Sequence, residues 1–142
     1  MATVRPGTAS VVVSAVIDAA LVLVFVLIGR ASHSEMLPGA LATMWPFLGG
    51  LAIGWVVMRA WRNPQRIVWT GIGIWVATVA GGLLLRAISG QGVALSFAIV
   101  TTIVLGVFLL GWRGIALLVQ RARSRAWTPV TRRPRRGSRG TG

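Results

Sequence analysis

The chain has 142 residues, 55% hydrophobic and 12% charged, where an ordinary soluble domain carries about 25% charged residues. Its formal net charge is +13, all fifteen basic residues are Arg, and there is no Cys, which excludes disulfides, thiol catalysis and Cys metal sites. The length allows one domain at most.

The apolar residues come as long runs rather than amphipathic stripes, and a run of about 18 or more reads as a membrane span. The first run is Val11 to Gly29, interrupted by Ser14 and Asp18. It is too long for the apolar core of a cleaved signal peptide, which is about 7 to 15 residues. The second run is Leu37 to Ala60, the third Ile67 to Leu85, and the fourth begins at Val93 and reaches Val119. In hydrocarbon every amide must be paired within its own segment, so each run is expected to be a helix. The expected fold is therefore all-α: a polytopic membrane protein with a bundle of four transmembrane helices over about 10–29, 38–60, 67–86 and 92–119. A short N-terminus (1–9) precedes the membrane domain (10–120). An Arg-, Gly- and Pro-rich tail (121–142) follows and is expected to be disordered.

Orientation follows from the Arg distribution, because positive residues are retained on the cytoplasmic side. With four spans, Arg5, Arg59, Arg62, Arg66, Arg113 and the eight Arg from Arg121 to Arg139 share one side, thirteen against Arg30 and Arg86 on the other. Both termini are then expected to be cytoplasmic, with the chain in the plasma membrane. The basic tail reads as a topology signal lying on anionic lipid head groups. Without interleaved aromatics or a recognisable module it argues against nucleic-acid binding.

Few residues could carry chemistry. Asp18 sits near the middle of the first span, where a carboxylate costs about 2.5 to 3.5 kcal/mol on insertion scales. It shares a helix face with Ser10 and Ser14, so that face is expected to turn inward. Depth selects its partner. Asp18 lies about 12 Å from the inner end of its helix and Arg113 about 9 Å from the same boundary on the fourth, so an intramembrane Asp18–Arg113 pair is expected. Arg59, nearer the boundary, is a second candidate. The pair either fixes helix order or forms a proton or substrate site. Arg30, His33, Glu35 and Arg86 form a polar group on the outer side. A single His with two acids is too small a set for a metal site or for catalysis, so neither metal nor cofactor is expected and the chain is not read as an enzyme.

Gly50 and Gly54, and Gly73, Ala77 and Gly81, form small-residue faces that let helices approach closely, within one chain or between chains. Pro46 interrupts the second helix and is expected to kink it. Trp61, Trp69 and Trp112 read as interfacial residues, whereas Trp55 and Trp75 lie deeper, as packing or as a stacking wall for a ligand. A faint similarity between the segments after Arg30 and after Arg86 is either a duplicated hairpin or chance.

Asp18, Gly29-Arg30-Ala31-Ser32-His33, Thr43-Met44-Trp45-Pro46-Phe47, Gly54-Trp55, Trp75 with Thr78, Leu85-Arg86 and Gly111-Trp112-Arg113 together resemble a family of small membrane proteins of high-GC Gram-positive bacteria, catalogued as domain-of-unknown-function family 3054. The resemblance covers about Ala15 to Gly114. It implies a four-helix membrane protein and implies no activity. A weaker similarity, to small multidrug-resistance transporters, rests on a carboxylate in the first helix, Trp45-Pro46 and Trp69-Thr70-Gly71-Ile72-Gly73. This chain departs from that family in carrying Asp for Glu, in a longer spacing from Asp18 to Trp45, and in its one-sided Arg count. Two functions follow: a non-catalytic accessory or assembly component of the cell envelope, acting with a membrane protein partner or as a homo-oligomer in the lipid bilayer, or a small proton-coupled secondary transporter using Asp18.

Overall fold

The computed structural model describes residues 6–31 and 37–126, and every element among them is helical. Helix α1 runs Thr8–Ala31 and α2 Leu37–Val57; a 3-10 turn at Ala60–Arg62 and a π turn at Ile67–Gly71 lead into α3 at Ile72–Ile88, and α4 runs Leu95–Ala126. Three stretches, Thr8–Gly29, Ile67–Ile88 and Leu95–Arg125, are long and apolar enough to cross a membrane. In α2 the apolar stretch Leu41–Val57 is shorter.

The helix ends differ from those expected from the sequence for local reasons. Helix α2 stops at Val57 rather than 60 because Arg59 takes a left-handed conformation (φ 48°), which turns the chain into the 3-10 turn. Helix α4 starts at Leu95 rather than 92 because Gly90 and Gly92 hold positive φ angles of 74° and 70°, conformations that glycine adopts without a Cβ penalty. At its other end α4 continues to Ala126, past the expected end at 119 and into the segment expected to be disordered. Gln, Arg and Ala are good helix formers, and its 32 residues give a rod of about 48 Å, longer than the roughly 30 Å of a hydrocarbon core. Residues 127–142 of the basic tail lie outside the described residues.

The distribution of polarity is inverted relative to a water-soluble domain. Asp18, Arg113, Thr78 and Thr101 are fully buried, while Val68, Leu95 and Ile88 are 79%, 78% and 74% exposed. Water-soluble proteins almost never bury Asp or Arg fully unless they are paired, and rarely leave so continuous an apolar surface uncovered. Threonines inside the bundle return their hydroxyls to the carbonyl one turn back: Thr43 to Gly39, Thr78 to Ile74 and Thr102 to Ala98, at 3.1, 2.7 and 2.7 Å. This satisfies a polar group without water.

The closest packing joins α2 to α3 in antiparallel register. A Cβ placed on Gly50 would stand 2.8 Å from both the Gly82 nitrogen and the Thr78 carbonyl oxygen; one on Gly54 would stand 3.0 Å from the Ala77 Cβ; and Gly81 faces the Gly50 Cα. At the end of this seam next to the α2–α3 connection Gly73 accommodates the Met58 side chain, with no room for a Cβ. The small-residue faces thus meet within one chain, and they join the second helix to the third rather than closing either half of the suspected hairpin repeat. Pro46 is buried within α2, which continues on both sides of it. Phe47 beside it is fully buried and packs edge-on against Phe25 of α1 at 5.5 Å.

Candidate functional site

Helices α1 and α4 each bring one charge into the core, and the two charges meet. Arg113 addresses the Asp18 carboxylate through both terminal nitrogens: Nη1 donates to Oδ1 at 2.8 Å and Nη2 to Oδ2 at 2.7 Å. Two indoles complete the shell. Trp112 Nε1 donates to Oδ1 at 2.8 Å and Trp55 Nε1 donates to Oδ2 at 2.9 Å. Each carboxylate oxygen therefore receives two donors, which uses the roughly four acceptor positions an ionised carboxylate offers.

The arginine is held as firmly as the acid. Its Nε donates to the Pro64 carbonyl at 3.0 Å, and Nη1 also donates to the Leu109 carbonyl at 2.8 Å. Pro64 belongs to the connection between α2 and α3, so one guanidinium ties α4 to α1 and to that connection. Underneath lies the π turn. The Gly71 amide reaches back five residues to the Arg66 carbonyl at 2.8 Å, and the wider turn sets Gly71 against the arginine, where an added Cβ would stand 3.1 Å from Arg113 Cδ. The guanidinium carbon also lies 4.7 Å from the Trp112 ring centre, within cation–π range. The result is a closed clasp in which Asp18 and Arg113 are both fully buried and each oxygen of the acid is engaged by two donors.

Two tryptophans depart from their expected places. Trp112 turns into the bundle toward Asp18 instead of serving at the interface. Trp55 does more than pack, since its N–H is committed to Asp18. Trp75 likewise donates to the Thr102 carbonyl at 3.0 Å, with its ring over Gly106. Trp61 and Trp69 are 47% and 68% exposed, as a position at an interface requires. The signal that could have found the two ligating indoles is spacing. Trp112 precedes Arg113, and Trp55 lies about half a helical turn before the end of α2 at Val57.

The outer-side polar group divides. The Arg30 side chain, His33 and Glu35 lie outside the described residues. Arg86 is described, and it closes the turn before α4. Its Nε donates to the Gly92 carbonyl and Nη1 to Gln91 Oε1, both at 3.0 Å, and Nη1 stands 3.5 Å from Thr43 Oγ1. The guanidinium also covers the Phe97 ring at 4.8 Å. A cavity of about 900 Å³ opens beside it between the end of α1 and the start of α4. Thr101 lines this cavity and, unlike Thr43, Thr78 and Thr102, its buried hydroxyl has no hydrogen-bond partner among the described residues. Among the described residues no group of His, Asp and Glu is placed to hold a metal ion.

The family model described as protein of unknown function (DUF3054) matches residues 15–116, well over half of the sequence. The chain belongs to the DUF3054 family. The matched stretch contains every member of the clasp, from Asp18 to Arg113, and stops before the last turns of α4. No curated protein and no solved structure matches the chain. For this DUF3054 protein the clasp geometry is accordingly the main guide to function.

Proposed function

We propose that this is a four-span protein of the bacterial plasma membrane, with both termini cytoplasmic, and that it acts as a non-catalytic accessory or assembly component of the cell envelope. Support for the fourth span comes from α2. It lies antiparallel along α3 from the Gly54–Ala77 contact to the Gly49–Leu85 contact, so a bilayer thick enough for α3 also encloses α2. With four spans the thirteen-to-two division of Arg places both ends inside.

The observation that carries the accessory reading is the saturation of Asp18. A transport carboxylate has to exchange a proton or cation, and this one has two donors on each oxygen and no accessible face. The proton-coupled transporter, which would use Asp18, is therefore the less supported alternative. The occupants we expect around the bundle are lipid, a membrane protein partner or a second copy, meeting faces such as Ile99, Ile103 and Val107 of α4, which are 51%, 60% and 64% exposed. Such a stripe suits association in a membrane through van der Waals contact.

The test is recovery of a tagged full chain from native membranes in mild detergent, paired with flux measurements on reconstituted vesicles. A stable stoichiometric membrane protein partner and no proton or cation movement are expected. A partner-free monodisperse homo-oligomer that moves protons under a gradient would overturn the accessory role.

A further inference from the structure

At the end of the bundle opposite the Arg86 cavity, the start of α1, the α2–α3 connection and the late turns of α4 line a second, open cavity of about 550 Å³. Two guanidiniums line it, Arg66 from the connection and Arg121 from α4, together with Ser10 and Asn63. Ile67 and Leu117 supply apolar walls. The two arginines come from segments 55 positions apart, and their approach is fixed by structure rather than by local sequence. Gln120 Nε2 donates to Gln65 Oε1 at 2.6 Å, so the residue beside each arginine ties the two segments together. The Arg113 bond to the Pro64 carbonyl anchors the same connection from within. The first turn of α1 ends here too, and its positive dipole end adds to the potential.

We infer that this cavity binds the phosphate of an anionic phospholipid, with the glycerol and upper acyl segments against Ile67 and Leu117. Two guanidiniums brought to one cavity by tied segments can match phosphate oxygens through paired N–H donors. Hydroxyl and amide groups of Ser10 and Asn63 suit the remaining oxygens. The apolar walls continue outward into Val68 and Leu118, 79% and 65% exposed, a surface that a free inorganic phosphate would leave uncovered. Basic pockets between membrane helices on the cytoplasmic side are suited to anionic head groups. The inference rests on the membrane reading above. It adds a defined site for anionic lipid within the helical domain, beyond diffuse attraction to the basic tail.

The experiment uses the full chain in neutral-lipid nanodiscs, titrated with short-chain phosphatidylglycerol, with phosphatidylcholine and with inorganic phosphate. Three proteins are compared: wild type, Arg66→Gln/Arg121→Gln, and the charge-matched control Arg123→Gln/Arg125→Gln, which alters the same helix end outside the cavity. The expected result is preferential binding of phosphatidylglycerol by wild type, weakened about tenfold or more in the cavity pair and about twofold or less in the control. Equal weakening in both pairs would overturn the site in favour of diffuse charge. Equal protection by inorganic phosphate would overturn the lipid assignment. Carbonate-resistant membrane association of each protein is measured in parallel. Its loss in wild type would refute the membrane reading itself, whereas a membrane-integral chain without the lipid preference refutes only the site.

Discussion

Trp112 and Trp55 meet at the same carboxylate, each donating an indole N–H to a different oxygen of Asp18, at 2.8 and 2.9 Å. Because Trp112 is on α4 and Trp55 on α2, the acid on α1 gathers three helices with neutral as well as charged donors. Hydrogen bonds to charged groups are worth about 1.5 to 3 kcal/mol each, more than neutral ones. Replacing either indole with Phe keeps most of the ring and removes the N–H. Trp55→Phe and Trp112→Phe should each lower unfolding stability by about 1 to 3 kcal/mol, and Trp75→Phe, whose partner is a neutral carbonyl, by about 1 kcal/mol. Reversible unfolding in mixed micelles reads the order. Equal losses at all three positions would refute the special role of the Asp18 shell.

Charge alone does not satisfy the site. Arg113 donates from three nitrogens to Asp18, Leu109 and Pro64, a planar fork that an ammonium group cannot reproduce. Arg113→Lys should therefore keep the positive charge and still lose about 2 kcal/mol or more of stability, since buried acceptors are left unpaired. Full stability in the Lys variant would show that only the charge matters.

The α2–α3 seam makes a sharper steric prediction. Gly50→Ala would place a Cβ 2.8 Å from backbone atoms of Gly82 and Thr78, which cannot yield as a side chain can. Forced overpacking costs about 1 to 3 kcal/mol. Gly111→Ala on α4 meets nothing within 4 Å and should be neutral or slightly stabilising, because Ala exceeds Gly in helix propensity. Thermal unfolding of the two variants side by side checks the contrast, and similar midpoints would contradict the packing described.

Thr101 predicts a gain. Its hydroxyl is buried without a partner among the described residues, and Val has nearly the same shape. Thr101→Val should raise stability by about 1 kcal/mol, the penalty of an unmade hydrogen bond being removed. Thr78→Val, which breaks the 2.7 Å bond to the Ile74 carbonyl, should not. A loss in Thr101→Val would point to an occupant of the cavity that uses the hydroxyl.

Much of this arrangement was legible because apolar runs read as spans assign each residue a depth. Residue counting from the ends of two apolar runs brings Asp18 and Arg113 to similar heights, and the distance between them is 2.7 Å. Depth says nothing of direction around a helix axis, so the sequence offers packing or a stacking wall for Trp55 and the interface for Trp112, not their bonds to Asp18. The π turn at Ile67–Gly71 was invisible for a related reason: one extra residue in a turn leaves no mark in an apolar sequence. The Gly50–Gly54 and Gly73–Gly81 faces were visible as close-approach surfaces, but small residues do not name their partner. The length of α4 was hidden by its charge, since Gln120 to Ala126 are good helix formers that cannot be told by polarity from a solvated tail.

On the proposed function the Asp18–Arg113 clasp holds the bundle together rather than moving a proton. The direct measurement is a double-mutant cycle of unfolding stability with Asp18→Asn, Arg113→Gln and both together. Each single variant should lose about 3 to 5 kcal/mol by leaving an unpaired buried group, and the double should be no worse than the poorer single, giving a large favourable coupling. Losses that simply add, or an Asp18→Asn protein more stable than wild type, would contradict the account and mark Asp18 as a residue kept at a cost to stability for function.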